Sequence, residues 1–241
     1  MNLTPSPDEI AQSNELVALI KREIASNDGA IRFSRYMEMA LYTPLLGYYT
    51  GPSRKFGGEG DFITAPEISP LFGSTLSQTI LALGEILKEQ NKPLKILEFG
   101  AGTGKLALSI LDELHKSNTV VQSYEILDLS GQLVQQQRET LAKYQPIVQW
   151  ITDLPQCFDG IIIANEVMDA MPVDIIKQQD GHWYYQNVIT KNDQLLLDQG
   201  PRVSLKDLPQ DLIENQYPND YMTELHLSAI GWINSLASCM G

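Results

Sequence analysis

The segment that decides the fold reads Ile96-Leu97-Glu98-Phe99-Gly100-Ala101-Gly102-Thr103-Gly104-Lys105-Leu106. It begins with apolar residues typical of a buried strand, continues as a turn with glycine at every second position, and ends on residues that favour a helix. Glycines in such a turn leave no side chains in the way, so a ligand can lie directly against the main chain. The acidic Glu98 immediately precedes the turn, where a carboxylate favours an ammonium group. The segment therefore predicts a strand, a ligand-binding loop and a helix.

The spacing G-x-G-x-G is typical of the first motif of S-adenosylmethionine (SAM) methyltransferases, but other classes of loop compete with it. The dinucleotide fingerprint is G-x-G-x-x-G, and Lys105 occupies the place of its third glycine here. A phosphate-binding Walker loop requires G-K-[ST], whereas Leu106 follows Gly104 and Lys105. A glycine-rich turn without a ligand is the remaining interpretation. We predict SAM binding and keep the dinucleotide and ligand-free interpretations as alternatives.

The composition indicates a globular chain and excludes several classes of protein. At 241 residues and 43% hydrophobic content, the chain is large enough for a full core. A net charge of -13 argues against a protein that grips nucleic-acid phosphates and suits a basic partner. Two cysteines and a start without a signal-peptide pattern predict a cytoplasmic location. No apolar run reaches the roughly 18 residues that a membrane span needs, and no metal site is predicted.

The rhythm of the chain changes near residue 94 to alternating strands and helices, which predicts a parallel sheet. The predicted parallel strands are 95–99, 120–127, 147–151 and 160–164, with helices at 103–116 and 131–144. Further helices are predicted from residue 7, after residue 34, at 70–90 and at 221–238, and short antiparallel strands at 173–178, 183–189 and 194–197.

Polar residues follow the predicted strands at their carboxyl ends, where open α/β sheets bind ligands. Asp128 ends the second strand and can accept hydrogen bonds from both hydroxyls of an adenosine ribose. Glu125 competes for this role but lies within the strand. Asp153 and Leu154 follow the third strand, where an acid and the next backbone N–H commonly bind the adenine of SAM. Asp128, Asp153 and Leu154 are predicted to hold the nucleoside. The alternative is an ordinary solvated acid for Asp128 and a plain turn for Asp153 and Leu154.

A second polar group follows the fourth predicted strand. Asn165, Glu166 and Asp169 come directly after an isoleucine-rich run, and packing explains them poorly. In SAM methyltransferases this strand end faces the sulfonium, so these side chains are predicted to meet the methyl group or its acceptor. The competing interpretation is that both acids merely favour the dipole of a following helix.

Three longer stretches carry a resemblance to a known family. They are RFSRYMEMALY (32–42) with GYY (47–49), GDFITAPEISPLFG (60–73) and NEVMDAMPV (165–173). In these stretches the chain resembles the MidA-like methyltransferases, whose mitochondrial members are arginine methyltransferases that assist complex I assembly. The resemblance implies an α/β class I SAM methyltransferase fold with a Rossmann-like sheet. It also implies a helical extension over the cofactor at 1–92 and a SAM-binding domain at 93–241.

The resemblance also implies roles for individual residues. Residues 60–69 are expected to line the cofactor and acceptor cleft, with Asp61 and Thr64 at the cofactor. The cofactor motif falls on Glu98, Gly100, Gly102, Gly104, Asp128 and Asn165. The implied acceptor is a protein arginine, whose guanidinium stays protonated in water. Carboxylates must therefore grip the guanidinium and accept its proton, and the candidates are Glu67, Glu166 and Asp169.

One departure from the family concerns length. Members of the family are considerably longer, and a class I sheet has further strands after the last predicted helix. We therefore expect the C-terminal strands to be missing and the open edge of strand 160–164 to invite self-association. Two alternative functions remain: a methyltransferase of another side chain or a small molecule, and a non-catalytic assembly factor with a vestigial SAM site.

Overall fold

The computed structural model of the protein describes residues 5–51 and 64–240. Its helices are α1 (Pro7–Ser26), α2 (Phe33–Tyr42), α3 (Ala65–Ile68), α4 (Leu71–Glu89), α5 (Lys105–Lys116), α6 (Gly131–Thr140), α7 (Gln210–Glu214) and α8 (Leu227–Cys239). Its strands are β1 (Ala30–Arg32), β2 (Leu94–Phe99), β3 (Val121–Leu127), β4 (Val148–Ile151), β5 (Ile161–Ala164), β6 (Asp174–Gln179), β7 (His182–Lys191), β8 (Gln194–Arg202) and β9 (Met222–Leu225). The chain divides into two units, Met1–Pro52 with Ala170–Ile233 and Ser53–Asp169 with Asn234–Gly241.

The second unit contains a parallel sheet of four strands in the order β4-β3-β2-β5. All three pairings are parallel, and β2 lies between β3 and β5. Ile96, Leu97 and Ile126 are fully buried in these strands, as expected for a sheet covered on both faces. The four predicted parallel strands are thus confirmed, and so is the predicted α/β class of the fold.

Helix α4 packs into the core of this same unit. Ile80 is 1% exposed and belongs to the hydrophobic cluster under the parallel sheet. Gly73 lies so close to α5 that a Cβ atom would come within 2.5 Å of Ser109 Cβ. The compact units therefore divide the chain differently from the predicted boundary at residue 92, because α4 buries its apolar face against α5.

The first unit is built on an antiparallel sheet in the order β1-β7-β6-β9, with β8 paired to β7. The predicted antiparallel segments are confirmed as β6, β7 and β8. The helix predicted at 221–238 is wrong in its first turn, because Met222–Leu225 pair with β6 and α8 begins only at Leu227. The exposure of the side chains alternates here as in a strand, because Leu225 is buried and its neighbour Glu224 is exposed.

Two local features of the first unit have structural roles. A capping box starts α1, in which the Glu9 N–H donates to Ser6 Oγ and the Ser6 N–H donates to Glu9 Oε2. Arg32, from the first family-like stretch, donates two hydrogen bonds of 3.0 and 2.6 Å to Asp174. Its guanidinium carbon lies 3.2 Å from the centre of the Tyr185 ring, so Arg32 stabilises this sheet.

The edge of the parallel sheet at β5 has a short contact with the end of the chain. The Phe158 N–H donates to the Cys239 carbonyl at 2.7 Å, and Phe158 forms a parallel bridge with Met240. Within residues 5–51 and 64–240, β5 itself pairs only with β2. The expected lack of further C-terminal strands and self-association through this edge both stay predictions. No helix in the described ranges has both the length and the apolar character needed to cross a membrane.

Candidate functional site

The glycine loop directly follows β2 at the carboxyl edge of the parallel sheet. Gly100, Gly102 and Gly104 have φ values of +58°, +55° and +83°, which side-chain-bearing residues rarely adopt. A Cβ atom on Gly104 would lie 3.4 Å from Gln137 Cα of α6, whereas one on Gly102 would meet no atom of residues 5–51 and 64–240 within 4 Å beyond its chain neighbours. The loop is therefore packed on one side by α6 and open at Gly102, as a ligand lying against the backbone requires.

Glu98 lies in β2 immediately before the loop and is only 1% exposed. The Tyr124 hydroxyl donates a hydrogen bond of 2.7 Å to Glu98 Oε2. The pKa of Glu98 is raised to about 7. Burial is the largest cause, the hydrogen bond from Tyr124 partly offsets it, and the charge of Asp128 adds to it. Near neutral pH both the protonated and the ionised forms of this carboxyl are therefore populated. Its predicted contact with an ammonium group stays a prediction.

Asp128 lies directly after β3 with both of its carboxylate oxygens held by donors. Oδ1 accepts from the Ser130 N–H at 2.9 Å, and Oδ2 accepts from Gln137 Nε2 at 2.7 Å. Burial raises the pKa of Asp128, and the hydrogen bonds from Ser130 and Gln137 lower it. The competitor Glu125 lies inside β3 and accepts from the Ser123 hydroxyl at 3.1 Å. The geometry favours Asp128 as the acid beside the loop, and its contact with a ribose stays a prediction.

Sequence reasoning missed the buried residue that connects these features. Gln137 of α6 is 0% exposed and bonds both the loop and Asp128. A signal was present, because Gln137 shares helical spacing with Leu133, Val134 and Leu141, so a polar side chain occupies an interior position of an amphipathic helix.

Asp153 and Leu154 follow β4, the strand that pairs with β3. Asp153 is exposed and accepts a hydrogen bond of 2.8 Å from the Thr152 hydroxyl, and Leu154 is half-buried. The parallel pairing puts both residues at the same edge of the sheet as the glycine loop. Their predicted contact with an adenine stays a prediction.

The polar group after β5 has an unusual backbone. Glu166 is exposed and has φ +52°, in the left-handed region that costs a non-glycine residue about 1–3 kcal/mol. Only a three-residue 3₁₀ turn, Met168–Ala170, follows, so no α-helix dipole explains Glu166 and Asp169. Val167 Cγ2 lies 3.5 Å from the place of a Cβ atom on Gly100. The structure thus brings this group to the glycine loop, with Asn165 half-buried and Asp169 exposed.

Glu67, the third candidate acid, also contacts the loop. Its carboxylate accepts hydrogen bonds from Lys105 Nζ at 2.6 Å and from the Thr103 hydroxyl, and its side chain is 5% exposed. Both oxygens are therefore engaged in holding α3 to the start of α5. Thr64 is half-buried at the N-cap of α3, and Asp61 lies outside the described residues. In the part of the chain that the structure describes, no group of three or more His, Cys, Asp or Glu side chains is arranged to hold a metal ion.

The chain is similar to proteins from bacteria and animals. A crystal structure of a COG1565 superfamily member from Burkholderia thailandensis, bound to S-adenosyl-homocysteine, matches it with a TM-score of 0.89 and 37% identity, covering 99% of this chain and 62% of that one. Mitochondrial protein arginine methyltransferase NDUFAF7 homologues of Caenorhabditis elegans and Drosophila melanogaster are 28% and 30% identical. These matches cover 68% and 64% of this chain and 44% and 40% of the relatives. The chain spans about half the length of the curated relatives it matches.

The profile of one protein family covers most of the chain. It is described as "Putative S-adenosyl-L-methionine-dependent methyltransferase" and matches residues 75–241. The matched region includes the parallel sheet, the glycine loop and the polar groups after β3, β4 and β5. This match shows that the chain belongs to this family of S-adenosyl-L-methionine-dependent methyltransferases.

Proposed function

We propose that this chain binds SAM against the glycine loop and transfers its methyl group to a protein arginine. One observation carries the proposal: the loop is open at Gly102, and the held carboxylate of Asp128 lies beside it. The similar crystal structure binds S-adenosyl-homocysteine, the product of such a transfer. The curated relatives are named as protein arginine methyltransferases, which supports the choice of acceptor.

The residues of the site divide into a cofactor group and an acceptor group. When bound, SAM supplies a methyl group already activated by its sulfonium. Asp128 would accept hydrogen bonds from the ribose hydroxyls, and the backbone at Gly102 would leave room for the ligand. Glu166 and Asp169 would grip the guanidinium, orient one nitrogen and take up its proton. Glu67 is a weaker candidate for this role than in the sequence-based prediction, because Lys105 and Thr103 already engage it.

The choice of acceptor can be tested with SAM carrying a deuterated methyl group. We would incubate the protein with arginine-containing peptides and with matched peptides in which lysine replaces each arginine. Fragmentation mass spectrometry should find the label on arginine alone. Label on lysine or on a small molecule would support a methyltransferase of another acceptor. SAM binding without any transfer would support an assembly factor that keeps only the cofactor site.

Replacement of Asp128 by alanine should weaken SAM binding by about 10- to 100-fold, because a charged hydrogen-bond partner contributes roughly 1.5–3 kcal/mol. Isothermal titration calorimetry measures the change. Asp112→Ala is the matched control, since it removes a carboxylate of α5 that accepts from the Tyr144 hydroxyl at 2.7 Å. The control should lose stability and keep its SAM affinity. Equal affinity in wild type and Asp128→Ala would contradict the ribose contact.

Replacement of Glu166 by glutamine should lower turnover at least about tenfold while SAM affinity stays within a few-fold of wild type. The variant keeps the size of the side chain and removes the charge that would hold the guanidinium. Initial rates and calorimetry on the same samples separate the two effects. Glu89→Gln, at an exposed position near the end of α4, controls for the loss of one negative charge. Loss of SAM binding in Glu166→Gln would instead make Glu166 a cofactor ligand.

The setting of the protein is also part of the proposal. We propose a basic, arginine-bearing protein as the partner, because the net charge of -13 on this chain would attract a positively charged surface. A cytoplasmic location and self-association through the β5 edge remain expectations. The names of the curated relatives describe mitochondrial proteins, and that statement concerns those proteins alone.

A further inference from the structure

Helix α6 is a polar helix with one completely buried glutamine. Gln135 and Gln136 are exposed, whereas Gln137 is 0% exposed. Burial of an amide is costly unless its donors and acceptor are paired. Gln137 meets this requirement with three hydrogen bonds: Nε2 donates to the Gly102 carbonyl at 2.9 Å and to Asp128 Oδ2 at 2.7 Å, and Oε1 accepts from Trp150 Nε1 at 2.8 Å.

The orientation of the Gln137 amide follows from its partners. An indole N–H only donates, so the amide atom that faces Trp150 must be the oxygen. A backbone carbonyl only accepts, so the amide atom that faces Gly102 must be the nitrogen. A flipped amide would set two donors against each other at Trp150 and two acceptors against each other at Gly102. Trp150 therefore fixes which atom of Gln137 reaches the loop and Asp128.

These bonds connect three adjacent parts of the carboxyl edge. Trp150 belongs to β4, Asp128 follows β3, and Gly102 lies in the loop after β2. The α6 backbone also lies directly against the loop, since a Cβ atom on Gly104 would be 3.4 Å from Gln137 Cα. Movement of the Gln137 side chain would release the loop carbonyl and one oxygen of Asp128 together.

We propose that Gln137 is a positioning residue for the cofactor, which acts by holding the Asp128 carboxylate at a fixed place relative to the Gly102 backbone. Gln137 sets the distance between the Asp128 carboxylate, which would bind the ribose, and the Gly102 backbone, along which the ligand would lie. The inference rests on the proposed SAM site. It adds a residue that need not touch SAM and whose effect on affinity passes through Asp128.

A double-mutant cycle separates positioning from general stabilisation. Gln137→Met keeps the length of the side chain and removes its three hydrogen bonds, and it should weaken SAM binding about tenfold in calorimetry. In an Asp128→Ala background the same change should cost less than about threefold, because the group on which Gln137 acts is gone. A purely structural role would give equal losses in both backgrounds, and that result would overturn the inference.

A matched control is available in the other unit. Gln186 is 7% exposed in β7, and its Nε2 donates to the Tyr185 carbonyl at 3.2 Å. Gln186→Met also removes a buried amide, so its melting temperature should fall while its SAM affinity stays within about twofold of wild type. A comparable loss of affinity in this control would assign the effect of Gln137→Met to stability and overturn the proposal.

A gentler variant keeps the test decisive if Gln137→Met fails to fold. Trp150→Phe removes the donor to Oε1 together with the five-membered ring of the indole, and keeps a six-membered aromatic ring near Arg138, whose guanidinium carbon lies 4.3 Å from the Trp150 ring centre. It should weaken SAM binding about threefold, and the loss should vanish in Asp128→Ala. Unchanged affinity in Trp150→Phe would contradict the positioning role. Absence of SAM binding in wild type would instead contradict the proposed function itself, so the two failures are distinct.

Discussion

Replacement of Gly102 by valine is expected to weaken SAM binding by more than about 100-fold while the protein stays folded. Among the described residues, a Cβ atom at this position meets no atom within 4 Å beyond its chain neighbours, so the new side chain would enter the space proposed for the ligand. The backbone φ of +55° adds strain of about 1–2 kcal/mol for a residue with a side chain. Calorimetry should therefore show loss of binding, and chemical denaturation should show a moderate loss of stability.

Gly181 supplies a control with the same backbone problem outside the glycine loop, in the unit built on the antiparallel sheet. It lies in the turn between β6 and β7 with φ +76°, and a Cβ atom there also meets nothing within 4 Å. Gly181→Val should lose a similar amount of stability and keep its SAM affinity. If Gly102→Val bound SAM as wild type does, the cofactor would not lie against the glycine loop.

Replacement of Glu98 by glutamine is expected to change the pH dependence of stability. The carboxyl has a pKa of about 7 in the folded protein, against 4.5 without burial, so the folded state binds this proton more tightly. The contribution of Glu98 to the free energy of unfolding should therefore fall as the pH rises from about 4.5 to about 7, and glutamine removes this cost. Relative to wild type, Glu98→Gln should gain up to about 3 kcal/mol between pH 4.5 and pH 8.

Urea denaturation of both proteins at several pH values measures this gain. Glu125→Gln is the control, because it removes a half-buried carboxylate from the neighbouring strand, where Glu125 is the register partner of Leu97. A stability difference between Glu98→Gln and wild type that stays constant across this pH range would show that Glu98 does not take up a proton on folding.

The parallel sheet could be predicted because its signals are local. Each strand is a short apolar run, and three glycines within five residues indicate the loop after β2. Asp128 and Glu67 both lie beside the loop, and the membership of Asp128, Glu166 and Glu67 in one site stays a prediction. The strained backbone at Glu166 could not be predicted, because φ there is set by its surroundings rather than by its own side chain.

Features that depend on contacts between residues far apart in the chain could not be predicted from the sequence. Strand β9 forms because Met222–Leu225 find a partner in β6, and local propensity alone favoured continuation of the helix. Gln137 looks like one more polar residue until Trp150 and Gly102 are brought to it by the folding of two other strands. The packing of α4 could not be predicted either. Its apolar side is evident in the sequence, but the structure is needed to show that α5 packs against it.

The unit built on the antiparallel sheet is discontinuous in sequence, which has a consequence for its synthesis on the ribosome. Ala30 pairs with Ile189, so about 160 residues must be translated before β1 meets β7, which takes roughly 8–30 s at ordinary elongation rates. All four parallel strands emerge within that interval. Ile20, Ile24 and Ile31, which share a cluster with Val188, lack this partner until then. While the parallel sheet is synthesised, the nascent chain therefore carries an N-terminal apolar cluster that lacks its cover from Val188 and Leu195, and chaperones that bind exposed apolar surface have that time to act on it.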